Sequence, residues 1–152
     1  MGVSRTEFFL AKSVVLASIA LMQILVSLFI AFVPATMLNG LGTMPEGFIG
    51  NLLLTIALQF LCLLAWLSIV SFILYVTHSY LAVFIGYLIT SILLSMPMLI
   101  FPDIEILRYL SLNFAYAMTD YSQAVLYTVI VTVTIILLFT VSGLAVFKKK
   151  SL

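Results

Sequence analysis

The side chains that could take part in catalysis or bind a metal are few and scattered along this sequence. The chain has one His, His78, one Cys, Cys62, and five acidic residues. A zinc site needs three or four ligands close together, and a Ser–His–acid triad needs a carboxylate beside the His. His78 stands alone between two apolar runs, and no Asp or Glu lies inside a long apolar run. The sequence therefore predicts no catalytic, metal or cofactor site, and a protein that is not an enzyme.

The most polar residues well inside the apolar runs are two glutamines, Gln23 and Gln59. An amide in hydrocarbon needs a hydrogen-bond partner. In membrane bundles such amides join neighbouring helices, each contributing about 1 kcal/mol or less. They could instead give a substrate path a polar lining, and both interpretations stay open. Proton-coupled transport is disfavoured, because a proton relay needs titratable groups within the membrane.

Composition places these residues in a membrane protein. Of the 152 residues, 65% are hydrophobic and 7% are charged, whereas a soluble domain is about half apolar and about a quarter charged. A surface so poor in charge would aggregate in water, which excludes a soluble enzyme. Apart from the lysines near the C-terminus, there is no basic patch for nucleic acid. The length allows a single domain.

The charged residues divide the chain into long uncharged stretches at 13–45, 47–102 and 121–147. A spanning helix needs about 20 mostly apolar residues, so the middle stretch holds two helices and the others hold one each. The sequence predicts an all-α, polytopic integral membrane protein with four transmembrane helices, at about 8–33, 51–76, 80–101 and 124–147. The first helix is expected to end near Pro34, because proline cannot donate into the helical ladder. Pro97 is expected to kink the third.

The positions of the basic residues predict the orientation. Arg5 and Lys12 flank the start of the first span, and Lys148, Lys149 and Lys150 follow the last. Basic residues concentrate on the cytoplasmic side, and four spans put both termini on one side. We therefore expect cytoplasmic N and C termini in a multi-pass protein of the plasma (cytoplasmic) membrane. The segments 34–50 and 102–123 then face outward.

The third span carries small residues at four-residue spacing, Ala82, Gly86 and Thr90. Small residues let membrane helices approach closely, so this stripe predicts helix packing. Packing within the chain is the simpler interpretation. A contact with a second subunit is the functional one.

The outer segment 103–122 carries apolar residues at roughly helical spacing, Ile104, Leu107, Leu110 and Leu112, interleaved with charges. Such a pattern is typical of a short helix that lies on the membrane surface. A helix that caps the bundle and a plain loop are the other interpretations.

The N-terminal segment reads Val3-Ser4-Arg5-Thr6-Glu7-Phe8-Phe9-Leu10-Ala11-Lys12. The simplest interpretation is a charged segment that enters the membrane. It also resembles the entry to the third span of permeases of the type-2 ABC exporter class, where a Ser-Arg pair precedes Phe or Leu and an Ala-Lys or Gly-Lys pair. The order of spans and loops resembles the remainder of such a permease, up to the closing Phe147 and its lysines. Permeases of this class usually have six spans, so the chain looks like their C-terminal, four-span portion.

The resemblance implies a function that needs no chemistry in this chain. In that class a separate cytoplasmic ATPase subunit hydrolyses ATP, and two permease subunits form the pathway. The edge that couples to the ATPase would map onto Ser4, Arg5, Thr6, Glu7 and Lys12. Membrane lipids would surround the spans, and the absence of buried charge fits a lipid-like or amphipathic substrate.

A second function is consistent with the same sequence. A small membrane protein that does not transport, such as an accessory, immunity or assembly factor, also needs neither catalytic residues nor charges within its spans. It would bind another membrane protein and have no effect on ATP-dependent export.

Overall fold

The computed structural model describes residues 5–40, 47–113 and 123–149 of the chain. These residues form four α-helices, α1 (Arg5–Asn39), α2 (Phe48–Thr77), α3 (Tyr80–Ile100) and α4 (Gln123–Lys149), and one 3₁₀ segment, Glu105–Ser111. All four α-helices are long and apolar enough to cross a membrane. The predicted all-α architecture with four such helices is confirmed.

Helix α1 does not end at Pro34, so that expectation is wrong. The helix continues through Pro34 to Asn39. Proline removes one backbone donor, so the Ile30 carbonyl, four residues earlier, loses its helical bond. The turn that follows gains a side-chain bond, because the Thr36 hydroxyl lies 3.0 Å from the Phe32 carbonyl and 2.9 Å from the Val33 carbonyl. With the helix still regular on both sides, losing one bond is not enough to stop it. Pro97 likewise lies inside α3.

Helices α2 and α3 are joined by a two-residue turn, His78 and Ser79. The sequence predicts the turn at 77–79, and the structure places Thr77 in the last turn of α2. His78 ends α2 in the left-handed conformation, with φ 52°, and its backbone N–H donates to the Leu74 carbonyl. Ser79 caps α3, because its hydroxyl accepts a bond from the Ala82 N–H. Serine is among the residues that favour this position.

The helices alternate in direction around α2. The start of α1 meets the ends of α2 and α4, as the ring contacts of Phe9 with Tyr75 and Phe147 show. Helix α2 packs most extensively against α4 and also contacts α1 and α3. The end of the bundle that holds His78 and Ser79 is called the turn end below.

The core lies mainly between α2 and α4. Helix α2 buries residues at successive turns, Leu58, Cys62, Ala65 and Ile69. Helix α4 buries Ala124, Thr128, Val131, Thr132 and Ile135. Helix α3 buries none of its residues, and most of the surface of α1 is exposed and apolar. Outward-facing apolar surface on this scale suits the hydrocarbon of a bilayer, where each helix satisfies its own backbone.

The 3₁₀ segment packs between the end of α3 and the first half of α4. The ring of Tyr109 lies 5.8 Å from that of Tyr127, and Leu112, just after the segment, joins the buried cluster with Ala65 and Val131. The part of 103–122 that the structure describes therefore caps the bundle. It is a tight 3₁₀ turn and not an α-helix.

Candidate functional site

An aromatic cluster joins three helices at the turn end. It consists of Phe8 and Phe9 at the start of α1, Tyr75 near the end of α2 and Phe147 near the end of α4. The Phe9 ring lies 5.4 Å from Tyr75 and 5.9 Å from Phe147. Tyr75 lies 5.4 Å from Phe147, edge to face, and Phe8 stacks on Phe147 at 6.4 Å. Aromatic pairs at such distances contribute about 0.5–1.5 kcal/mol each beyond their buried area.

Gly143 of α4 lies beneath this cluster. A Cβ atom on Gly143 would lie 3.7 Å from the Tyr75 ring and 3.8 Å from the Phe9 ring. These are ordinary contact distances, so the position has room for a methyl group and for little more. The small residue allows both rings to approach the backbone of α4.

The predicted coupling residues lie on or beside the first turns of α1. Ser4 lies outside the described residues, whereas Arg5 and Thr6 form the first turn of the helix. Glu7 and Lys12 are exposed. The Lys12 ammonium lies 4.6 Å from the centre of the Phe8 ring, within the range of a cation–π interaction. The charged edge is thus continuous with the aromatic cluster.

This geometry has a mechanical consequence. Phe9 is buried, with 4% of its surface exposed, and it contacts rings from two other helices. A displacement of the first turns of α1 cannot occur without moving Tyr75 and Phe147 or losing those contacts. Close-packed interiors transmit such displacements because they have few voids to absorb them.

The two glutamines occupy different environments. Gln23 of α1 is exposed and Gln59 of α2 is half-buried. One cavity is lined by Ala17 and Leu64, among others, and another by Leu28 and Leu52, as two antiparallel helices would arrange them. This antiparallel register places Gln23 and Gln59 at about the same depth in the bundle. The lining of a path by these side chains stays a prediction.

The small-residue stripe of α3 includes a close approach to α2. A Cβ atom on Gly86 would lie 3.0 Å from Cδ1 and 3.2 Å from Cγ2 of Ile73. Ala82 and Thr90, one turn to either side, are half-buried. At Gly86, the stripe packs within the chain.

A second stripe of small and hydroxyl residues was missed by the sequence reasoning. It lies on α4 at four-residue spacing, Ala124, Thr128 and Thr132, and all three residues are buried. The Thr132 hydroxyl donates to the Thr128 carbonyl at 2.7 Å, and the Thr128 hydroxyl donates to the Ala124 carbonyl at 2.8 Å. These residues have the same four-residue spacing as the stripe of α3. The spacing is difficult to recognise in the sequence because β-branched residues surround it.

Within the described ranges, the residues that could do chemistry are not brought together. Among the described residues, no three His, Cys, Asp or Glu side chains lie close enough to hold a metal ion. His78 is exposed at the turn end, and Cys62 is buried in the middle of α2. The described site consists instead of packed aromatic rings and exposed apolar surface.

Comparisons with known proteins add no relative to this description. The chain matches no protein-family model and has no significant match among curated proteins or solved structures.

Proposed function

We propose that the chain is a membrane-spanning permease subunit, or part of one, of an ATP-driven exporter. It would couple to a separate cytoplasmic ATPase subunit at the charged edge of α1, pair with a second permease subunit and move a lipid-like or amphipathic substrate. In this proposal both termini lie on the cytoplasmic side of the plasma membrane.

The aromatic cluster is the observation that carries the proposal. A subunit driven from outside needs a connection between the segment that is pushed and the helices that move. Phe9 supplies such a connection, because it is buried between Tyr75 of α2 and Phe147 of α4. Movement of the α1 entry would thus reach the α2–α4 core directly.

The packing of the core bears on where a substrate could pass. Thr132 has none of its surface exposed, and its hydroxyl bonds to its own helix. At Thr132 the α2–α4 core is therefore filled, and this hydroxyl is not available to line a polar path. A path through this bundle would run along its apolar outer surface or between two subunits, which favours substrates with hydrocarbon chains.

The test is a purification of the tagged chain in mild detergent with assay of ATP hydrolysis. We expect an ATPase subunit to copurify and its hydrolysis to respond to lipid. Phe9→Leu keeps an apolar side chain and removes the ring contacts, so it should reduce the lipid response while the ATPase still copurifies. Phe29→Leu is the matched control, because Phe29 is 69% exposed at the other end of α1. Purification with no ATPase would contradict the proposal.

A specific observation also favours the alternative of a non-transporting accessory, immunity or assembly protein. Helix α3 buries none of its residues, so a whole apolar face is available to another membrane protein. In that case a membrane protein would copurify without an ATPase, and deletion of the chain would leave ATP-dependent export unchanged.

Orientation is tested separately by labelling with a membrane-impermeant maleimide in intact cells. The native Cys62 is buried and can be replaced by Ala. In that background His78→Cys, at the turn end, should be protected from the outside reagent. Asp103→Cys, at the opposite end, should react. The reverse pattern would contradict cytoplasmic termini.

A further inference from the structure

A long groove runs between α1 and α2 from the turn end toward the middle of the bundle, where Ile136 and Thr140 of α4 also line it. Two neighbouring cavities form it, of about 430 Å³ and about 270 Å³, and they share Leu16 and Ser71 in their walls. The first cavity reaches Tyr75 at the turn end, and the second extends to Leu64. We call this feature the α1–α2 groove.

The walls of the α1–α2 groove are apolar although several hydroxyl residues contribute to them. The Ser13 hydroxyl donates to the Phe9 carbonyl at 3.0 Å, and the Ser68 hydroxyl donates to the Ala65 carbonyl at 2.7 Å. Both donors are therefore used within their own helices. The groove suits a hydrocarbon chain better than a polar solute.

The length of the groove matches one leaflet of a bilayer. From Leu64 to Tyr75 the α-helical rise gives about 16 Å, and the hydrocarbon core of a bilayer is about 30 Å thick. A lipid acyl chain lying in the groove would run from the headgroup level to about the middle of the membrane.

Lys12 lies in the wall of the groove near its turn end. Its ammonium lies over the ring of Phe8, which is one helical turn closer to the end of the bundle. The side chain thus extends from the apolar wall toward the membrane surface, as lysines do when they keep their charge near water. A phosphate at the headgroup level would meet this charge.

A second groove between α1 and α2 allows a comparison, because no charged residue lines it. At the opposite end of α1 and α2, a cavity of about 430 Å³ is lined by apolar residues alone, among them Phe29, Phe32 and Ile49. This cavity is as large as the one in the α1–α2 groove that reaches the turn end, and both are lined by α1 and α2. Only the one at the turn end has a cation in its wall.

We propose that the α1–α2 groove binds one acyl chain of an anionic phospholipid, with Lys12 paired to the phosphate of the headgroup. This site shares Lys12 with the coupling edge proposed above, but it needs no ATPase and no transport cycle, so lipid binding can be tested on the chain alone. The lipid would act as a resident part of the bundle, covering apolar surface that α1 and α2 leave open between them.

The test is native mass spectrometry of the purified, delipidated full chain, titrated with dioleoylphosphatidylglycerol or dioleoylphosphatidylcholine. The acyl chains are identical and only the headgroup charge differs. We expect the first anionic lipid to bind about fivefold more tightly, the effect of one basic residue near a charged surface. Lys12→Gln should bring the two lipids within twofold of each other, whereas Lys12→Arg should keep the preference. Lys148→Gln, at the same end of the bundle, is the matched charge control.

The groove itself is tested with bulky substitutions. Val15→Trp, in the wall of the α1–α2 groove, should remove the first bound lipid of either kind. Ile49→Trp, in the opposite groove, should leave the anionic preference intact. Both positions are exposed, at 57% and 67%, so both variants should fold. Equal affinity for the two lipids, a preference that survives Lys12→Gln, or displacement of the lipid by inorganic phosphate would each overturn the proposal.

Discussion

Gly86 of α3 lies against the side chain of Ile73 of α2, so that a Cβ atom at Gly86 would approach Cδ1 of Ile73 to 3.0 Å. This contact lies near the turn end and brings the two backbones close together. Because Cδ1 is the far end of a flexible side chain, a small shift of Ile73 could admit one methyl group. A larger side chain could not be admitted in that way.

Substitution of Gly86 should therefore show a steep dependence on size. Gly86→Leu should lower the free energy of unfolding by about 1–3 kcal/mol, the usual cost of overpacking, and Gly86→Ala should change it by less than about 1 kcal/mol. Unfolding followed by circular dichroism in mixed detergent micelles measures both. Gly50→Leu is the control, since nothing lies within 4 Å of a Cβ at Gly50. Equal losses for Gly86→Leu and Gly50→Leu would refute the contact.

The turn between α2 and α3 makes a prediction about backbone strain. His78 has φ 52°, a region that costs a residue with a Cβ roughly 1–2 kcal/mol and is available to Gly at no such cost. His78→Gly and His78→Val both remove the imidazole, so their difference isolates the backbone. The Gly variant should be more stable than the Val variant by about 1–2 kcal/mol. A Val variant as stable as the Gly variant in thermal unfolding would contradict the left-handed turn.

The buried stripe on α4 predicts that stability depends more on the size of the side chain at Thr132 than on its hydroxyl group. Thr132→Val should change stability by less than about 1 kcal/mol, because the hydroxyl bonds only to its own helix. Thr132→Leu should lower stability by about 1–3 kcal/mol through overpacking. Thr134 is the matched control, since it makes the same type of bond, to the Ile130 carbonyl, but is exposed. Thr134→Leu should have little effect on stability. A loss as large as that of Thr132→Leu would argue against the burial of Thr132 in the core.

The aromatic cluster predicts that loss of a ring near the start of α1 lowers stability more than loss of a ring farther along the helix. Phe9→Ala should lower stability by about 3 kcal/mol or more, as for a Phe in a protein core. Phe29→Ala, where the ring is 69% exposed, should cost much less. Chemical unfolding in detergent compares the two variants directly. If the two losses were similar, Phe9 would not join α1 to α2 and α4, and the mechanical argument for coupling would fail with it.

Several features of the fold could be predicted because they depend on local composition. The four helices follow from the apolar runs between charges, and the α2–α3 turn follows from the run of polar residues at 77–79 in the middle stretch. Pro34 was misjudged because the rule for helix ends comes from water, where a freed carbonyl is readily solvated. In an apolar environment continuing the helix is the better way to satisfy the neighbouring backbone groups.

The residues of the candidate site were predicted only in part. The charged entry of α1 was identified from its sequence, but nothing in it pointed to Tyr75 or Phe147, which lie far away along the chain. Leu112 was recognised as apolar, yet its burial against Ala65 depends on the 3₁₀ segment folding back between α3 and α4.

The sequence by itself thus determined an all-helical chain with four helices long and apolar enough to cross a membrane, separated by the few charged residues. Only the tertiary structure decided which face of each helix packs inward. In a water-soluble protein the polar face of a helix reveals the buried one, but helices that are apolar all round carry no such contrast. The choice of face then depends on the fit of particular side chains, such as Ile73 against Gly86 and Phe9 between Tyr75 and Phe147.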